Sequence, residues 1–180
     1  MSLRLPLRRT ALALVVMLAG CANTGQYRDT DVPIASIAAF DADRYAGLWY
    51  EVARFPVPFQ SGCTDVTAEY TPRADGQLGV RNICLKEGRV SQIEGSARVT
   101  GPGRLSVRFD TVPFISAPYW VLWVDQDYRT AVVGVPSGRA GWILNRAPEI
   151  PQDRLNAALQ VLDFNGYDIS RIMMTPQAAR

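Results

Sequence analysis

From residue 49 to residue 145, apolar and polar positions alternate in short runs separated by turn-forming residues. Residues 49–55 (WYEVARF) are aromatic and β-branched. Residues 64–71 (TDVTAEYT) put Val66, Ala68 and Tyr70 on one face. The turn 72–77 (PRADGQ) contains Asp75-Gly76, and residues 78–86 form the return strand. Within 90–100, Ile93, Gly95, Ala97 and Val99 oppose Gln92, Glu94, Ser96 and Arg98. Pro102-Gly103 turns the chain, after which Leu105, Val107 and Phe109 alternate with Ser106, Arg108 and Asp110. Residues 119–124 (YWVLWV), 130–135 (TAVVGV) and 142–145 complete the run. Eight strand-like segments at short, even spacing predict an all-β sandwich or an up-and-down barrel. Small residues at Ala68, Gly95 and Ala97 leave volume inside a closed barrel, and eight strands can enclose one small ligand.

The period then changes. Over 151–164, Leu155, Leu159 and Leu162 recur at i, i+4 and i+7, with Ala158 and Val161 beside them. Pro151 suits the first helical position, Asp153 the first turn, and Asn165-Gly166 the end. The stripe predicts one amphipathic helix packed on the outer wall. Its polar face is not cationic, which disfavours a membrane-surface role. Residues 169–173 add a last short strand.

The first 20 residues stand apart. Arg4, Arg8 and Arg9 precede a short apolar run, residues 10–18, too short to span a bilayer. Leu18-Ala19-Gly20-Cys21 looks like a bacterial lipobox, which implies removal of residues 1–20 and lipidation of Cys21. Two or more acyl chains anchor a protein stably where one is marginal. Ala22 in the following position implies, by the same resemblance, the outer membrane. The anchored domain would face the periplasm. Residues 21–38 read as a lipidated N-terminus and tether. The formal charge of +2 belongs to this leader: without it the chain has 16 basic and 17 acidic residues, a net of −1. A near-neutral chain without a basic block excludes nucleic acid as a partner. The absence of histidine excludes histidine general acid–base chemistry, His-based nucleophiles and histidine metal sites. No metal or cofactor is expected.

Residues 40–55 (FDADRYAGLWYEVARF) resemble the first signature of the lipocalin family, Gly-x-Trp entering the first strand, with Gly47 and Trp49 in the key positions. Residues 125–128 (DQDY) resemble its second signature, a turn between the sixth and seventh strands. Arg146 resembles the third, one arginine ending the eighth strand. The signatures come in family order, the resemblance spans about residues 38–175, and it is greatest to bacterial lipocalins and apolipoprotein D. It implies an eight-stranded antiparallel up-and-down barrel at 39–176 with the helix outside. Trp49 would plug one end beneath Arg146, a cation–π contact, and Gly47 would permit the close approach. The expected chemistry is binding, not catalysis. The ligand would be a fatty acid or lysophospholipid, held for lipid storage, transport or envelope repair, by a monomer or weak homodimer.

Alternation within a barrel selects the cavity wall, and it points Leu105, Val107 and Phe109 inward. Residues 119–124 are nearly all apolar, so alternation leaves their facing open; similarity to apolipoprotein D points Trp120 and Leu122 inward. If Trp49 faces in, so does Glu51, a buried carboxylate that needs a partner. Arg81 is the candidate if it too faces inward, and the pair would then meet a headgroup or carboxylate. Cys63 and Cys84 would in that case oppose each other on the outer face. In an oxidising periplasm they form either a disulfide across one hairpin or two free thiols. The apolar loop 111–118 (TVPFISAP) dips into lipid, caps the ligand or folds back. Other hydrophobic ligands, a lipid-modifying enzyme using Glu51, and a closed structural core are the alternatives.

Overall fold

In the computed structural model, residues 25–178 are described, so Cys21 and the leader lie outside the described residues. Eight strands form the wall: β1 Gly47–Arg54, β2 Cys63–Pro72, β3 Leu78–Lys86, β4 Arg89–Gly101, β5 Arg104–Phe109, β6 Ala117–Val124, β7 Thr130–Gly134 and β8 Gly141–Asn145. Each pairs antiparallel with the next, and β1 pairs with both β8 and β2, which closes the barrel. Closure pairs strand edges that an open sheet would leave free. The β1–β2 ladder stops at Tyr50 opposite Thr67. Beyond that point a short ninth strand, β9 Met173–Met174, pairs with β1 and fills the gap. Residues 169–171, expected to begin a strand, make a 3₁₀ turn under an Asp168 cap instead.

A four-residue helix, α1 Ala42–Tyr45, crosses one end of the barrel; the Asp41 carboxylate caps it, accepting from the amides of Asp43 and Arg44. Helix α2, Gln152–Phe164, packs on the outside over β6 and β7. Pro151 is its N-cap, one position earlier than expected. Ala158 and Leu162 are fully buried there among Leu122, Val132 and Ile143.

Apolar clusters form on both sides of the wall, and a third, small one (Val57, Val135 and Ala140) joins the loops after β1 and β7. The inner one contains Trp49, Tyr70, Val80, Ala97, Leu105, Val107, Val121, Val133 and Leu144. The outer one lies under α2. Residues 25–38 are no free tether: they run as a strap down the outside of the wall. Arg28 is buried and donates to the carbonyls of Asn165, Pro136 and Val32. Ala35 donates its amide to the Asn165 side chain, and Ile37 to the Val121 carbonyl.

Candidate functional site

The floor is built by α1 and the start of β1. Trp49 is fully buried and donates its indole N–H to the Tyr45 carbonyl at 2.8 Å. The Arg146 guanidinium lies 3.8 Å from the indole ring centroid. It donates to the carbonyls of Leu48 at 2.8 Å, Arg44 and Ala46 at 2.9 Å, Tyr128 at 3.2 Å and Tyr45 at 3.3 Å. The last carbonyls of α1 thus find their donors in one planar fork. Gly47 has φ +96°, and a Cβ there would meet Arg146 Nη1 at 3.3 Å, so both backbone and space favour glycine. The 125–128 turn ties in as well. Tyr128 accepts from the Asp41 amide through its hydroxyl, and Arg44 stacks on its ring.

Above the floor the inner wall is apolar but carries a few polar atoms. Tyr45, Tyr119 and Tyr70 join through their hydroxyls, Tyr45 to Tyr119 at 2.7 Å and Tyr70 to Tyr119 at 2.8 Å. Burial pushes all three phenols up, Tyr70 to about 12 and the other two well above the ordinary tyrosine value. Three hydroxyls own three protons and spend two on each other, which leaves one donor. Asn82 shares a face of β3 with Val80 and turns a buried Oδ1 inward that has no hydrogen-bond partner among the described residues. Tyr119, Trp142, Phe109 and Ile93 face in, toward the mouth end, and keep part of their surface uncovered. Gly95 is small for another reason than inner volume: its Cβ would lie 2.2 Å from the Arg108 carbonyl oxygen on the adjacent strand.

Several expected ligand contacts are relocated. Phe109 does point in, opposite Gly95. Trp120 and Leu122 point out. Trp120 pairs with Arg104, whose guanidinium stacks on it at 4.2 Å, and Leu122 packs under α2. Tyr119, Val121 and, beyond a bulge at Leu122, Val124 are the inward residues of β6. Arg81 is also outside, half exposed and ion-paired with Glu69 across the β2–β3 ladder. Its alternation therefore places Cys84 on the inward side of β3, with Val80 and Asn82, not on the outer face. There Cys84 forms a disulfide with Cys63.

Glu51 does face in, but its partner is Arg54, at 2.7 Å, with both residues 3% exposed. Thr175 donates to the same carboxylate oxygen at 2.7 Å, and Gln60 to the other at 2.6 Å. Arg54 also reaches the carbonyls of Cys63 and Gln60. Gln60 in turn accepts from the Trp142 indole at 2.9 Å. This knot ties β1, the β1–β2 loop and the chain after β9 together near the mouth. Both carboxylate oxygens are committed to protein donors. A cleft of about 820 Å³ lies outside the knot, bounded by Tyr27, Pro58, Gln60, Arg139 and Met173.

A closed cup of eight antiparallel strands, floored by an indole under a guanidinium and braced by a C-terminal helix, defines a small-ligand-binding β-barrel. Residues 40–177 match the lipocalin-like domain. The chain is 35% identical over 176 residues to the outer membrane lipoprotein Blc of Escherichia coli K12, covering 96% of this chain and 97% of that one. It is 35% identical over 150 residues to apolipoprotein D of Cavia porcellus, covering 77% and 78%. Among solved structures, insecticyanin of the tobacco hornworm Manduca sexta superposes with a TM-score of 0.67 at 18% identity, covering 85% of this chain and 87% of that one. The chain belongs to the lipocalin family, whose members bind small hydrophobic ligands and are generally carriers.

Proposed function

We propose that this protein is a lipid carrier of the bacterial envelope, holding one fatty acid or lysophospholipid in the barrel and anchored through Cys21 to the outer membrane, facing the periplasm. The observation that carries this reading is the inner wall: apolar from Val80 to Leu144 and stoppered at one end by Trp49 beneath Arg146. An acyl chain suits such an apolar wall, since its methylenes gain about 0.8 kcal/mol each on leaving water. The near full-length likeness to an outer membrane lipoprotein supports the anchor. The unspent tyrosine proton and the Asn82 oxygen offer one donor and one acceptor to ester, carboxyl or hydroxyl groups of the guest. Glu51 does not act as an acid on the lipid in this reading, because its oxygens already serve Arg54, Thr175 and Gln60.

The four tryptophans give the test: Trp49 and Trp142 face in, Trp120 and Trp123 face out. In a Trp120→Phe/Trp123→Phe variant, all indole emission comes from inside. Titration of the delipidated protein with a lysophospholipid brominated on its acyl chain should quench that emission. Native mass spectrometry should show one lipid per barrel. If no acyl chain enters by either measure, the carrier reading fails.

A further inference from the structure

We infer that the open rim of the barrel is a membrane-docking surface, which holds the mouth against the phospholipid leaflet that carries the Cys21 acyl chains. The inference rests on the lipoprotein reading above and adds an orientation to it. Its first support is the contrast between the two ends. In an up-and-down barrel, alternate connections share an end. The connections after β1, β3, β5 and β7 surround the mouth, and those after β2, β4 and β6 surround the floor. At the mouth, Phe59 is 75% exposed, Val90 71%, Ile115 64% and Phe114 wholly exposed. The floor turns instead carry Arg73, Asp75, Gln77, Asp125 and Asp127, and the apolar side chains exposed at that end, Leu48 and Val99, lie on strands and are less than half uncovered. Large apolar side chains at loop tips, gathered at one end, suit a partner that is itself apolar just below a polar surface. Lys86, Arg89 and Arg139 at the same rim would lie at headgroup level, beside Glu87 and Asp110.

The second support is where the described chain begins. Tyr27 donates its amide to the Gly138 carbonyl, in the β7–β8 loop, and its hydroxyl to the Pro56 carbonyl, in the β1–β2 loop. Both belong to the mouth. From there the strap descends toward the floor, where Ser36 donates to the Pro102 carbonyl. Cys21 is four residues before Gly25. A fully extended chain therefore keeps it within about 14 Å of the rim. The wall is taller than that: the eight residues of β1 span about 27 Å along the strand, or about 20 Å of height at the usual tilt. An anchor on so short a leash cannot set the barrel floor-down. Of the orientations it permits, mouth-down is the one that buries the apolar tips. It also lets an acyl chain pass from leaflet to cup without crossing water.

The test uses the full lipidated protein in vesicles of phosphatidylethanolamine and phosphatidylglycerol. An environment-sensitive fluorophore is attached to Phe114→Cys at the mouth or to Asp75→Cys at the floor. The expected result is a blue-shifted emission at 114, quenched by spin-labelled acyl chains, with neither effect at 75. Emission typical of water at both sites, or quenching at 75 instead of 114, would overturn the inference. In a second arm, the triple variant Phe59→Ser/Phe114→Ser/Ile115→Ser should take up a lysophospholipid from vesicles more slowly. Its uptake of the same lipid added in solution, read by native mass spectrometry, should be unchanged. Equal loss in both would refute docking and assign these residues to ligand binding. Failure of the unsubstituted protein to take up lipid in solution would sink the carrier reading alone, and the two fluorophore positions would still decide the orientation.

Discussion

Replacing Arg146 by alanine removes the clamp on the barrel floor, and its cost follows from the geometry. The guanidinium gives up a cation–π contact at 3.8 Å, worth about 1 kcal/mol at a half-buried site. It also gives up three short bonds, to Leu48, Arg44 and Ala46. A hydrogen bond to a charged group contributes about 1.5 kcal/mol net, but these three share one side chain and water reaches the freed carbonyls, so they do not add in full. The expected loss is about 3 kcal/mol, a large part of a total stability of about 5–15 kcal/mol. In urea melts followed by tryptophan emission the midpoint should fall with little change in slope. Arg146→Lys keeps the charge but loses the planar fork, and should recover less than half of the loss. A loss below about 1 kcal/mol for alanine, or full rescue by lysine, would refute the claim that the fork closes the floor.

Glu51→Gln separates a structural role from a ligand role. It should destabilise by about 3 kcal/mol or more, since Arg54 is left buried without its counter-charge, while affinity for a lysophospholipid in solution stays the same. Breaking the disulfide with Cys63→Ala/Cys84→Ala should cost about 3 kcal/mol in the chain-entropy view for a separation of 21 residues, read as the difference between unreduced melts of the two proteins. Alkaline pH should destabilise the barrel. The Tyr167 phenol is pushed up to about 12 by burial, so between pH 10 and about 12 the unfolded chain binds fewer protons than the native one. Stability should therefore be flat below pH 10 and fall above it, by up to about 1.4 kcal/mol per pH unit for this ring. Denaturant midpoints across that range should show a shallower fall for Tyr167→Phe.

The amino-acid sequence by itself determined the strands, because a half-buried strand must alternate and nearly every strand here does; alternation suits a sandwich as well as a barrel, and the likeness to family signatures chose the barrel. Leu105, Val107 and Phe109 read correctly inward from that period alone. Likeness to family signatures found Trp49, Gly47 and Arg146, whose roles are local to the floor. What tertiary structure decided is what lies where the period breaks. A bulge after Glu51 turns both Val52 and Ala53 outward and returns Arg54 to the inside, so two residues three apart meet on one face. Strict alternation puts them on opposite faces, which leaves Arg81 as the partner the sequence offers. Strand β6 is apolar on both faces because α2 covers its outside, and no pattern within the strand can tell a wall facing lipid from one facing a helix. The strap, too, depends on distant carbonyls for the donors of Arg28. Short-range alternation is a property of the strand itself, but the side it presents is set by what packs against it.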